Sequence, residues 1–342
     1  MMEIPDRTQR RSFDVVLVLS GGNALGAFEA GVYQALHEND LLPDWVIGAS
    51  IGAINGALIA GSAPDQRLDT LRTFWRQIAS GSPPPATLWW ASQLETLRRT
   101  TAAAWTTIAG RSGIFGPVMS ATFPWTDDKP SIFDTDQLAE TLNALVDFAI
   151  LNEGGCRFTA TAVDLSNGED VVFDSHSHRI HAGHIRASAA LPIAFPAVEI
   201  DGRWLVDGGL SANLPLDPVL SNPPDRPTLC VAVDLLPLGQ ALPVTIGDAA
   251  NRMQDLIFAA QSRRSLARWM AAHHENGGIC VALVRLDYTD QSEEVAGKAM
   301  DFSALTIARR WNAGYQSGLA LVGRVADRSL PIGVPGLNIV SG

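Results

Sequence analysis

Three short stretches of the chain combine residue types that could carry out acyl transfer. Gly48-Ala49-Ser50-Ile51-Gly52 is a G-x-S-x-G sequence. A serine held in a sharp strand-to-helix turn presents its hydroxyl as a nucleophile, and Gly48 and Gly52 keep Cβ atoms out of the bend. The helix behind Ser50 also places its N-terminal dipole near developing negative charge. Ser20-Gly21-Gly22-Asn23-Ala24-Leu25-Gly26 is a glycine-rich loop. Backbone N–H groups at Gly21, Gly22 and Asn23 could receive the oxyanion of a tetrahedral intermediate, with Gly26 leading unobstructed into a helix. Val206-Asp207-Gly208-Gly209 puts a carboxylate at a strand end, with little cover from Gly208 and Gly209. Within hydrogen-bond reach of Ser50, Asp207 could act as general base without a histidine. Taken alone, those four residues read as an Asp-Gly turn.

Other chemistries compete for the same residues. A Ser-Asp-His esterase would find its later members in Asp174 and in His273 or His274. That arrangement places the serine after several strands, whereas here one strand and one helix precede the strand leading to Ser50. The glycine loop also approaches a dinucleotide-binding G-x-G-x-x-G, with Asn23 in place of the second glycine and Asp44 as the acidic residue downstream. His176, His178, His181 and His184 lie close to Asp174 and invite a metal reading. No HExxH pattern accompanies them. The expectation is a polar loop and helix start, with no metal and no cofactor.

These residues need a scaffold to bring them together. The apolar run 15–19 reads as a buried parallel strand, 27–37 as a helix, 45–49 as a second strand and 51–60 as a small-residue helix packed on the sheet. Helices are expected at 64–79, 134–148, 184–191, 246–274 and 305–326. Strands are expected at 157–163, pairing as a hairpin with 171–173, and at 197–200, 204–206, 229–236 and 279–286. Such alternation points to an α/β layer architecture. The segment 81–130 breaks the pattern with six of the twenty prolines and with Trp89, Trp90, Trp105 and Trp125. It reads as a lid or as a structural cap filled by its own tryptophans. No linker divides the chain, so a single domain over 1–342 is expected, with core motifs in 14–216 and C-terminal strands and helices in 227–342.

Composition excludes several classes. The 342 residues are 46% hydrophobic and 18% charged, enough apolar material for a sizeable core. A net charge of −11 argues against a nucleic-acid partner, which calls for a basic face. Three scattered cysteines make no disulfide framework, and no apolar run approaches the roughly 20 residues that span a bilayer. The chain is therefore expected in the cytoplasm, peripheral at a membrane if its substrate is lipid; the Arg10–Arg11 pair is a weak export signal. Membrane contact would rest on the tryptophans of 81–130 and on local groups such as Arg98, Arg99, Arg263, Arg264 and Arg268.

In order and context, the three motifs resemble the patatin-like phospholipase family, in its bacterial type. The resemblance runs from Val15 to Leu216 and includes Arg186-Ala-Ser-Ala-Ala-Leu-Pro192 and Asn213-Leu214-Pro215. It implies a three-layer α/β/α fold with a mostly parallel central sheet, and a lipid acyl hydrolase working through a serine–aspartate dyad. Ser50 would be the nucleophile, Asp207 the general base, and Gly21 and Gly22, with Asn23, the oxyanion hole. A lipid or acyl ester would be the substrate, with no metal. The family loop usually reads G-G-G-x-[Arg/Lys]-G, so Asn23 and Leu25 depart from it. That departure leaves a second expectation open, a lipid-binding or regulatory protein on the same scaffold that has lost turnover.

Overall fold

A computed structural model describes residues 11–79, 99–100, 103, 106, 110–117, 131–236, 238–240, 242–273, 279–289, 291, 294 and 297–341. Trp89, Trp90, Trp105, Trp125 and His274 lie outside the described residues, and with them most of the lid or cap expectation for 81–130.

Strand β1 (Asp14–Leu19) is DVVLVL, and its last five residues are buried. A run so rich in β-branched residues, apolar on both faces, suits the centre of a parallel sheet. β1 pairs in parallel with β2 (Trp45–Gly48) on one flank. The ribbon β3 (Gly116–Pro117) and β4 (Phe133–Asp134) stands apart. The main sheet continues with β5 (Arg157–Asp164), β6 (Asp170–Asp174), β7 (Val198–Ile200), β8 (Arg203–Asp207), β9 (Thr228–Asp234), β10 (Cys280–Asp287) and β11 (Gly336–Ser341). Nine strands run in the order β11-β10-β9-β1-β2-β5-β8-β7, with β6 also paired to β5. From β11 to β5 all pairings are parallel; those of β6, β7 and β8 are antiparallel.

Alternation along β1 gives the layers. Val15, Leu17 and Leu19 join the cluster containing residues of helices α1 (Ala27–Glu38), α2 (Ile51–Ala60) and α3 (Arg67–Ala79). Val16 and Val18 join the opposite cluster, with Val219 and Leu220 of helix Asp217–Ser221 and Leu266 and Trp269 of helix Ile246–His273. Helices on both sides of a largely parallel sheet make the expected three-layer α/β/α fold. Helix Ala304–Ala326 lies across α1 so closely that a Cβ on Gly314 would fall 1.9 Å from the Phe28 carbonyl oxygen.

Two expectations need correction. The single helix at 134–148 is two, Asp136–Leu145 and Phe148–Glu153; Val146 is extended between them, and the Asp147 carboxylate caps the second. The expected strands also omit one: β11 follows helix Ala304–Ala326 and lies at the edge of the sheet, after Pro335. Its half-buried residues gave no continuous apolar run.

One topological detail positions the chemistry. β6 occupies one flank of β5 along Thr159–Val163. The other flank is shared: β2 pairs with Arg157–Ala160, and β8 pairs antiparallel with Ala162–Asp164. β2 and β8 therefore run toward each other along the same edge. Gly48, at the end of β2, lies opposite Ala160, and Asp207, at the end of β8, lies opposite Ala162.

Candidate active site

Ser50 occupies the turn between β2 and α2 at φ 55°, ψ −123°, a left-handed conformation costly for a side chain with a Cβ. The turn persists because its surroundings allow no other path. A Cβ on Gly48 would lie 2.3 Å from the Gly52 carbonyl, and one on Gly52 would lie 2.3 Å from that of Leu19. The Ser50 N–H donates to Ser188, to its carbonyl at 3.1 Å and its Oγ at 3.2 Å. Ser188 ends the short helix Ala182–Ser188, which therefore anchors the turn from the other side.

Asp207 is buried at the end of β8. Its N–H donates to Ala190 O at 3.0 Å, and its Oδ1 accepts the Gly209 N–H at 2.7 Å. Burial pushes its carboxyl up to about 6, while donation from the Ser50 side chain and the Gly209 N–H pulls it back. A Cβ on Gly208 would press into the Thr161 backbone at 2.4 Å, so glycine there lets the chain turn directly after the carboxylate.

The glycine loop runs alongside. A Cβ on Gly21 would stand 3.2 Å from that of Ser50 and 2.5 Å from Asn213 Oδ1. Gly21 is pinned by two hydrogen bonds, its N–H to Asn213 O at 3.0 Å and Asn213 Nδ2 to its own carbonyl at 3.1 Å. Its N–H is thus already committed, and its contribution is close approach. Among the described residues no acceptor meets the N–H of Gly22 or Asn23. Asn23 takes φ 52°, which asparagine tolerates better than most residues, and its Nδ2 donates to Met300 Sδ at 3.4 Å. Gly26 packs against Ile51, which would be 2.5 Å from a Cβ there. Leu25 is fully buried, so the charge usual at this loop position would have no water to meet here.

Behind the loop lies a polar group that motif reading passed over. Glu29, in the first turn of α1, is buried. Its Oε2 accepts from Asn55 at 2.9 Å; the same amide nitrogen reaches Gly26 O at 3.0 Å, and Trp75 Nε1 donates to Asn55 Oδ1 at 3.0 Å. Burial holds the Glu29 carboxyl well above the usual range, with the Asn55 bond opposing it. Asn213, Ser188 and Glu29 were missed as site-builders. The first two fall inside quoted motifs, but their partners are residues distant in sequence.

The rival assignments lie elsewhere. Asp174 is held by Arg157 and by Thr159 Oγ1 at 2.7 Å. His273 stacks on Trp269 and approaches Leu220 O at 3.2 Å. Neither is hydrogen-bonded to Ser50. Asp44 accepts the Val15 N–H at 2.8 Å and pairs with Arg11, at the end of the sheet opposite the glycine loop. Of the histidines, His181 caps helix Ala182–Ser188, and burial together with the nearby charge of His181 brings His184 down to about 4. Among the described residues no group of three or more side chains could hold a metal.

The chain is similar to several known proteins. The family model described as patatin-like phospholipase matches residues 17–220, and one described as patatin phospholipase matches 245–323. An uncharacterized NTE family protein of Mycobacterium tuberculosis is 28% identical over 262 residues, 74% of this chain and 59% of its own length. The chain thus spans less than two thirds of that relative. Triacylglycerol lipase 5 of Saccharomyces cerevisiae is 44% identical over 54 residues, 16% of this chain and 7% of the yeast protein. The crystal structure of VipD from Legionella pneumophila aligns with a TM-score of 0.46 at 16% identity, over 92% of this chain and 67% of that one.

Proposed function

Since the chain belongs to the patatin-like phospholipase family, we propose that it hydrolyses fatty-acyl esters of lipids through a Ser50–Asp207 dyad. Asp207 takes the Ser50 proton as Oγ attacks the ester carbonyl. The carbonyl oxygen becomes an oxyanion received by the Gly22 and Asn23 N–H groups. Collapse of the intermediate expels the alcohol, which takes the proton back from Asp207, and leaves an acyl-serine. A water then gives its proton to Asp207 and attacks the acyl carbon. The second intermediate collapses to free fatty acid, and Ser50 regains its proton from Asp207.

The observation that carries this reading is the convergence of β2 and β8 on one flank of β5. It puts a strained serine beside a buried carboxylate whose acidity already responds to the Ser50 side chain. The two uncommitted amides of the glycine loop support an oxyanion role.

Hydrolysis of a phospholipid, a lysophospholipid, a monoacylglycerol and a short synthetic ester by wild type and Ser50→Ala tests it. The variant should lose at least about a thousandfold of rate on whichever substrate is used, together with fluorophosphonate labelling. Full activity in Ser50→Ala would sink the assignment. Labelling of wild type without turnover of any substrate would favour the lipid-binding alternative.

A further inference from the structure

Helix Ile246–His273 meets the body of the protein with a mixed side, Phe258, Leu266 and Trp269 packing on the cores beside polar groups. The positions it buries are Asp255, Ala259 and Ser262. Asp255 pairs with Lys298 at 2.7 Å, Asn251 Oδ1 accepts the Gly297 N–H at 3.2 Å, and Gln261 Nε2 donates to Leu210 O at 2.9 Å. The opposite face is apolar and open. Ile246, Met253 and Ile257 lie along one line of the helix at 91%, 62% and 52% exposure, and Leu242 and Val244 just ahead of it stand at 89% and 92%. The helix thus carries apolar residues on two sides, one packed on the body and one open, and an open apolar face of this extent marks a surface that something apolar covers.

Two features say what. Helix Ile246–His273 carries Arg252, Arg263, Arg264 and Arg268 against Asp248 and Asp255; Asp255 is matched by Lys298, and Arg268 by Asp217 at 2.6 Å. In a chain of net charge −11 this element is locally basic, and Arg264 lies on the same line as Ile246 and Ile257. The face also adjoins the candidate site. Gln261 lines a groove of about 610 Å³ with Met253, Leu256, Ile257 and Arg264, and it bonds Leu210, three residues after Asp207.

We infer that this face is where the protein docks on an anionic lipid surface. Leu242, Val244, Ile246, Met253 and Ile257 would enter the headgroup–acyl boundary, and Arg264 on the same line would meet lipid phosphates. The inference rests on the lipid-hydrolase reading for its purpose but not for its measurement.

The test is flotation of the intact chain, carrying Ser50→Ala so that lipid is not consumed. The vesicles are phosphatidylcholine with and without phosphatidylglycerol. Binding should need the anionic lipid and weaken with salt. Met253→Asp/Ile257→Asp should bind about tenfold more weakly, and Met253→Gln/Ile257→Gln should fall between it and the parent. With Ser50 restored, both double variants should hydrolyse a soluble short ester at the parent rate. The inference fails if either variant floats like the parent, or if soluble-ester hydrolysis falls in step with binding, which would make the face structural. It also fails if light scattering shows a dimer that the Asp pair breaks without altering flotation, since the occupant is then a second copy. Flotation that responds as expected in a protein without esterase activity would retain the docking face and reject the hydrolase reading. Normal hydrolysis with flotation unchanged by the variants would do the reverse.

Discussion

Burial holds the Asp207 carboxyl at about 6, yet the proposed chemistry needs it ionised to take the Ser50 proton. The ratio kcat/KM for a soluble ester should therefore fall as pH drops through about 6, tenfold per pH unit on the acid limb. The same shift acts on stability with a definite sign. Below about 4, Asp207 is protonated in both folded and unfolded chains and contributes nothing. Between 3.8 and about 6 only the unfolded chain ionises, so folding loses free energy over that window, and the loss is complete above it. Its size is about 3 kcal/mol, from the difference between the two pKa values. Asp207→Asn keeps an acceptor for the Gly209 N–H but never ionises. It should be inactive yet more stable than wild type at pH 8, with the gain vanishing near pH 4. Thermal melts of both proteins across that range check it; equal melting curves at pH 8 would mean that the carboxylate is not desolvated as described.

Among the elements, the contact of α1 with helix Ala304–Ala326 bears most directly on the site, because α1 begins directly after Gly26 of the glycine loop. The helices touch backbone to backbone: a Cβ on Gly31 would lie 1.9 Å from Trp311 O, and one on Gly314 equally close to Phe28 O. Gly314→Ala should cost about 1–3 kcal/mol by forcing the helices apart, and slow ester hydrolysis by displacing the loop. Gly323→Ala, in the same helix with nothing within 4 Å, should instead gain about 1 kcal/mol from helix propensity and leave activity unchanged. Denaturant unfolding of the pair separates packing from propensity. The elements themselves were largely legible in the sequence. Buried parallel strands appear as apolar runs such as 15–19, and the turn at Ser50 is written locally in Gly48 and Gly52. What closes the site was not legible, because Ser188 on Ser50, Asn213 on Gly21 and Met300 on Asn23 are contacts that only the topology creates. Periodicity likewise disclosed a helix at 246–274 but not the direction its apolar stripe faces, because spacing fixes a face without saying what lies against it.

Across the whole molecule, the motifs end well before the fold does. Every residue of the proposed dyad and of the glycine loop precedes Asn222, which makes the rest of the chain look accessory. The sheet order argues otherwise. β9 pairs with β1 along its full length, from Asp14 opposite Thr228 to Leu19 opposite Val233, and the Leu235 N–H donates to Ser20 Oγ beside the glycine loop. Without residues beyond Asn222, β1 becomes a bare edge of continuous apolar sequence, an arrangement prone to aggregation. One face of the sheet then loses helix Ile246–His273, and α1 loses its partner helix. The lost region also holds buried Arg310, whose guanidinium reaches Glu294 at 2.7 Å and the Asp301 carbonyl at 3.1 Å, and Asp301 in turn binds Arg99. Removing one partner of such a cluster strands the other charges without water, at a cost of about 3–5 kcal/mol, so the cluster makes the C-terminal region cooperative with the rest. A chain cut after Asn222 should therefore show no cooperative melt, bind a hydrophobic dye and fail to label with a fluorophosphonate, although Ser50 and Asp207 are both present. A sharp melt with labelled Ser50 in that shortened chain would mean that the first 222 residues hold the site by themselves, and that β9, β10 and β11 are additions to a fold already complete.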